Sequence, residues 1–138
     1  MTRHEQRETA FKLLFEQAVV GEVMSEIILI AEEINKEKIE AFAFDLVCGV
    51  DSNISHINHA INKYSTKWKV DRLSKVSLAV LRLCIYEIMY EKDIPVSVSI
   101  NEAVELAKIY GDKDDAPYVN GVLSSVAKDK ELVCEKTR

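Results

Sequence analysis

Cysteine, proline and glycine are scarce in this chain, and each shortage excludes something. The three cysteines, Cys48, Cys84 and Cys134, are an odd set without CxxC spacing. They argue against a disulfide framework, a thiolate metal site or a catalytic thiol. Cys48 and Cys84 sit among apolar neighbours, where a thiol acts as a small hydrophobe. Only four Gly and two Pro interrupt 138 residues, so long helices are allowed. No apolar run approaches the roughly 20 residues that span a bilayer. No apolar stretch follows Met1-Thr2-Arg3-His4-Glu5 that could serve as a signal peptide, so a cytoplasmic location is expected. Neither GxxxxGK[ST] nor GxGxxG occurs, which leaves nucleotide-binding enzymes unsupported. A surplus of positive charge is missing too. The net charge of −5 argues against indiscriminate nucleic-acid binding, because long-range repulsion of phosphates would dominate.

What is present is a globular mixture, 48% hydrophobic and 30% charged, of a length that fits one domain, 1–138. Its charge is unevenly spread. Residues 22–45 hold seven acids against two bases, a net −5, whereas 63–75 hold five bases against Asp71, a net +4. A basic strip on an acidic body permits directed phosphate contact.

The apolar periodicity is helical throughout. Thr2-x-x-Glu5 predicts a capping box ahead of a helix whose buried face carries Phe11, Leu14, Phe15 and Ala18. Gly21 ends it, and Ser25 is the expected N-cap of a second helix through Ile34. Ile39, Phe42, Leu46, Val50, Ile54, Ile57, Ile61 and Tyr64 then keep spacings of three and four. They predict one helix over 37–64, about 42 Å long, that Gly49 weakens by about 1 kcal/mol. A turn and a short basic helix follow in 65–75. Residues 76–90 are apolar on nearly every side, the mark of a central helix. Val96-Ser97-Val98-Ser99-Ile100 alternates like a strand, but Ser99-x-x-Glu102 reads as a second capping box and the stretch as helix. Gly111 is the expected stop, and Asp114, Asp115 and Pro117 open a last helix. The charged tail after Lys128 is expected to fray. The fold class expected is all-α: two packed bundles of six to seven helices, about 1–64 and about 70–130.

Candidate chemistry is sparse. His56-x-x-His59 sets two imidazoles one turn apart, but no third ligand is evident and the pair reads as solvent-facing, so no metal is expected. Glu102 and Glu105 lack a partner nucleophile or an activated histidine, so no catalytic residue is assigned and no enzyme is expected. Arg82 lies inside the most apolar helix. A buried guanidinium needs a partner, and a structural ion pair with Glu102, or else Glu87, is expected. Lys63-Tyr64-x-x-Lys67-Trp68-Lys69-x-x-Arg72 interleaves cations with aromatic rings, as single-stranded RNA sites do. Composition alone does not separate that reading from a bundle end whose rings are core and whose lysines solubilise.

Three segments carry a family likeness: RHEQRETAFKLLF at 3–15; Val80-Leu81-Arg82 with Tyr86-Glu87 and Ile94-Pro95; and INEAVELAK at 100–108 followed by YVNGVL at 118–123. In this order and spacing they resemble the NusB family over nearly the whole chain. The resemblance implies two packed helical bundles without cofactor. It implies binding of boxA RNA together with the ribosomal protein NusE, in a complex that modifies RNA polymerase against termination, notably on ribosomal RNA operons. Arg3 and Arg7 match arginines of the family's RNA-contacting motif, while His4 and Glu5 stand where more arginines are common. Asp114 and Tyr118 match an acid and an aromatic near the RNA. Phe15 and Ser77 fall at partner-binding positions, Ser77 where a carboxylate often stands. Family homodimers bury the RNA surface, so a homodimer is a further partner state to test. A related domain fronts certain RNA methyltransferases, a reading set aside on length. A protein-only helical adaptor, favoured by the thinned arginine motif, stays as the alternative. RNA is expected to lie across Arg3 and Arg7 on the solvent side of the first helix, Lys67 and Lys69, and the start of the last helix. There, free backbone donors would take a phosphate and Tyr118 would stack on a base. The acidic 22–45 should lie away from this strip.

Overall fold

The structure, a computed structural model, describes residues 1–136, and among them every regular element is helical. Helix α1, Arg3–Val20, starts with the expected capping box. The Thr2 hydroxyl accepts from Glu5 N–H at 3.1 Å and the Glu5 carboxylate from Thr2 N–H at 3.0 Å. It stops where Gly21 turns left-handed (φ 77°) and donates to the Gln17 carbonyl, a conformation glycine adopts without steric cost.

Helix α2, Met24–Asn35, is capped by Val23 and not Ser25, which falls in its first turn. Burial of Met24, Ile27 and Ile28 sets this start, since it turns the three onto α1 and α3. The long helix expected over 37–64 is two helices, α3 (Ala41–Ser52) and α4 (Ile54–Tyr64). Asn53 makes the break: its side-chain amide and its backbone N–H both donate to the Gly49 carbonyl, at 2.8 and 3.1 Å. Such side chain-to-backbone bonds compete with the helical ladder. The apolar stripe resumes beyond the bend, so spacing did not betray it. Gly49 has its own use, since a Cβ there would run into the Tyr86 ring.

A single 3-10 turn, Val70–Arg72, leads to α5, Lys75–Tyr90, whose N-cap Ser74 accepts from Ser77 N–H at 3.0 Å. Helix α5 packs against α1, α3, α4, α6 and α7, as its all-round apolarity predicts. Leu81, Ile85 and Ile88 on it are wholly buried, and each contributes about 1.5–3 kcal/mol of burial free energy. Helix α6, Val96–Tyr110, begins earlier than expected, after Pro95. Ser99 is therefore inside the helix and forms no capping box; its hydroxyl donates to Glu87 at 2.8 Å. Helix α7 is Asp115–Ala127. One core draws residues from all seven α-helices of the described residues.

The tail does not fray over its described part. Cys134 N–H donates to the Ile88 carbonyl at 3.2 Å, and the Lys136 ammonium to the carbonyls of Glu87 and Glu91 at 3.0 and 2.7 Å. The last carbonyls of a helix have no partner within it, and this tail supplies them. Among the described residues no helix is long and apolar enough to cross a membrane.

Candidate nucleic-acid interface

Two patches answer to the residues singled out in the sequence. The first is an open groove of about 780 Å³ where the loop after α4, the start of α5 and the start of α7 meet. Lys67, Trp68, Arg72, Ser77, Asp114 and Tyr118 are among its lining residues. Its walls are tied by hydrogen bonds across the chain. The Tyr118 hydroxyl accepts from Trp68 N–H at 3.1 Å and lies 2.5 Å from the Ser65 hydroxyl, which itself donates to the Trp68 carbonyl. The Lys69 ammonium caps α4 through the carbonyls of Asn62 (2.9 Å) and Ser65 (3.4 Å), and Asn62 Oδ1 accepts from Val70 N–H at 2.9 Å. Lys69 therefore serves the α4 end, where a cation suits the helix dipole. Trp68 stays 45% exposed, with the Lys67 ammonium 5.6 Å from its ring centroid. Among the described residues neither Lys67 nor Arg72 forms an ion pair.

The groove floor is Asp115. It accepts from Ser74 and Ser77 hydroxyls at 2.6 Å each and from Asp112 N–H at 2.9 Å. Burial alone would raise its carboxyl; the Ser74 and Ser77 hydroxyls and Asp112 outweigh that and hold it below the ordinary range. Ser77 is thereby turned inward and buried, so the expected partner contact by its hydroxyl is corrected to an internal one. Most donors of the phosphate site expected at the α7 start are already taken. Asp112 and Asp114 N–H bond to acid side chains, Asp115 and Tyr118 N–H to backbone carbonyls, and Pro117 has none, which leaves Ala116 N–H, on a buried residue, in the first turn. Asp114 is exposed, and its carboxylate accepts no hydrogen bond from the described residues.

The second patch is the start of α1. Arg3 is exposed, its guanidinium 4.1 Å from the Phe42 ring centroid. Arg7 is not on the solvent side: it is 4% exposed and grips Glu87 with two bonds of 2.9 and 3.1 Å. Glu102 is also accounted for, accepting from His4 Nδ1 at 2.6 Å, which raises the His4 pKa. The expected Arg82 pair with Glu102 or Glu87 is thus corrected. Arg82, half-buried, donates to the Asn58 amide oxygen at 3.1 Å, and burial lowers its pKa. A neutral acceptor suffices because this guanidinium keeps part of its surface in water.

The two patches are separate. Arg7 meets α5 at Glu87 and the groove meets it at Ser77, ten positions apart along the helix, about 15 Å. The acidic segment does not stay away from α1 either. Glu40 pairs with the Met1 amino group at 3.3 Å and Phe42 lies under Arg3. Phe15 is half-buried, its ring 6.0 Å from that of Phe11. His56 and His59 are exposed. A cluster the sequence reading missed joins α4 to the tail: Asp129 accepts from Tyr64 (2.5 Å) and Lys63 (2.9 Å), and these bonds pull its pKa to about 2. No local pattern marks it, because its partners are more than sixty residues away.

Comparison with known proteins fits this layout. The NusB family model matches residues 4–128. The transcription antitermination protein NusB of Clostridium acetobutylicum is 41% identical over 135 residues, covering 95% of this chain and 98% of that protein. A solved structure of T. maritima NusB superposes with a TM-score of 0.83 at 37% identity, covering 94% of this chain and 92% of that one. A crystal structure of the antitermination factors NusB and NusE in complex with dsRNA gives a TM-score of 0.80 at 30% identity, with 93% and 98% covered.

Proposed function

This chain belongs to the NusB family of transcription antitermination factors, and from that premise we propose that it acts in the cytoplasm by binding boxA RNA together with NusE. The complex modifies RNA polymerase, notably on ribosomal RNA operons. The protein is a binding factor in this reading and not an enzyme. The observation that carries it is the groove between α4, α5 and α7. Two cations without an acid partner among the described residues, an exposed indole and an acceptor-only carboxylate line one concave surface there. Phosphates, base faces and base edges need these groups respectively. The solved relative with NusE and RNA supports the same partners for this chain. Phe15 has surface left to offer NusE, whereas the Ser77 hydroxyl is engaged by Asp115.

The test is a titration of labelled boxA RNA against the protein, with and without NusE, at two salt concentrations. Tighter binding with NusE and weaker binding at the higher salt are expected. No RNA binding in either arm would favour the protein-only adaptor. Repeating the titration at two protein concentrations reads out a homodimer that competes for the RNA surface.

A further inference from the structure

Trp68 is placed as few tryptophans are. A side chain of this size normally gives most of its surface to the core, yet this one is 45% exposed at the rim of the groove. Its backbone is nevertheless held on both sides. Its N–H donates to the Tyr118 hydroxyl, and its carbonyl accepts from Ser65. The Lys69 and Asn62 bonds to either end fix the rest of the loop. An exposed ring on a pinned backbone loses little conformational freedom when something lies on it. The groups around it match the parts of one nucleotide. Lys67 and Arg72 supply charge for its phosphate. Asp114, which can only accept, suits an exocyclic amine or ring N–H on its base edge and repels phosphate.

We infer that Trp68 is a stacking platform for one unpaired base of the bound RNA, and that Tyr118 is the positioning residue that holds the platform in place. This rests on the RNA-binding reading above and deepens it. It reverses the role expected of Tyr118, whose hydroxyl is already committed to the loop. It also selects a single strand at this site, because a base must leave its duplex stack to lie on the indole.

Trp68 is the only tryptophan in the chain, so its fluorescence reports the site directly. The experiment titrates the full chain with single-stranded boxA RNA and with the same RNA annealed to its complement. Indole emission is followed alongside the anisotropy of labelled RNA. Saturable quenching by the single strand, with the anisotropy midpoint, is expected; the duplex should quench far less. Trp68→Ala should weaken single-strand binding between about 5-fold and about 150-fold, the range for losing one stacked base, and Trp68→Phe should restore most of it. Tyr118→Phe should make the indole of the free protein more accessible to a neutral collisional quencher. RNA that binds without changing the emission, with Trp68→Ala binding as wild type, overturns the inference and leaves the RNA-binding reading standing. A wild-type chain that binds no RNA overturns both. Unchanged quencher access in Tyr118→Phe removes the positioning role.

Discussion

The start of α1 and the groove beside α7 carry the same kinds of cation with opposite fates. At α1, Arg7 is buried on Glu87, His4 is bonded to Glu102, and Arg3 lies over Phe42. In the groove, Lys67 and Arg72 line open surface with no ion-pair partner among the described residues. A cation in a sequence can serve a ligand only if no acid of its own chain reaches it first. At the start of α1, Arg7 and His4 are spent on holding α1 to α5 and α6, and Arg3 meets only the Phe42 ring; in the groove Lys69 is spent on the α4 end, while Lys67 and Arg72 keep their charge available.

The sharpest way to break this contrast is Arg7→Ala. Removing one partner of a buried bidentate pair strands the other charge, and a loss of about 3–5 kcal/mol is expected in urea unfolding. Ser99 on α6 donates to the same Glu87 carboxylate, so the effect should reach beyond α1. A double change of Arg7 and Glu87 to methionine should cost less than Arg7→Ala alone, because no charge is then left unpaired. A loss within about 0.5 kcal/mol for Arg7→Ala would place this side chain on the surface after all.

Next in size is a pair of changes in binding. Lys67→Ala should leave stability within about 0.5 kcal/mol, weaken boxA and scrambled RNA alike, and lower the salt slope by about one. Arg3→Ala should leave that slope unchanged if RNA lies in the groove alone, although Arg3 too has no acid partner among the described residues. An equal drop in slope for both variants would join the patches into one RNA surface.

How much of this was legible follows from the range over which each residue acts. The Thr2–Glu5 box was readable because both bonds close within one turn. The same pattern at Ser99–Glu102 misled, because Pro95 had already begun the helix and buried Glu87 took the Ser99 hydroxyl. The apolar stripe through 37–64 does pack on the core, but Ile39 precedes α3, and a bend at Asn53 leaves spacings of three and four intact. The need of Arg82 for a polar partner was readable from its apolar neighbours, but not the choice of Asn58. Arg7 looked free because its acid lies eighty residues away. The groove was half legible: the basic and aromatic run and the acid and aromatic before VNG were both visible. Their meeting through Tyr118 and Trp68 depends on how α7 docks.

The smallest expected effect concerns His4 and tests the contrast through pH. Glu102 bonds the ring and adds negative charge beside it, so the folded-state pKa lies above the ordinary 6.5. A raised pKa means the folded protein holds this proton more tightly than the unfolded chain. The stabilisation is then complete below about 6.5 and is lost as pH rises through the folded value. The pair is exposed, so the effect on stability is slight. The wild-type Tm should fall a little more than that of Glu102→Gln when pH is raised from about 6 to about 8. An NMR titration should place the His4 midpoint above that of the same residue in Glu102→Gln. The RNA arm is the informative one. Protonated His4 is neutralised by Glu102 and should give RNA no additional cation, so lowering the pH should strengthen RNA binding no more in wild type than in His4→Gln. A gain confined to wild type would show the imidazolium meeting phosphate, and the start of α1 would then rank with the groove as a working surface.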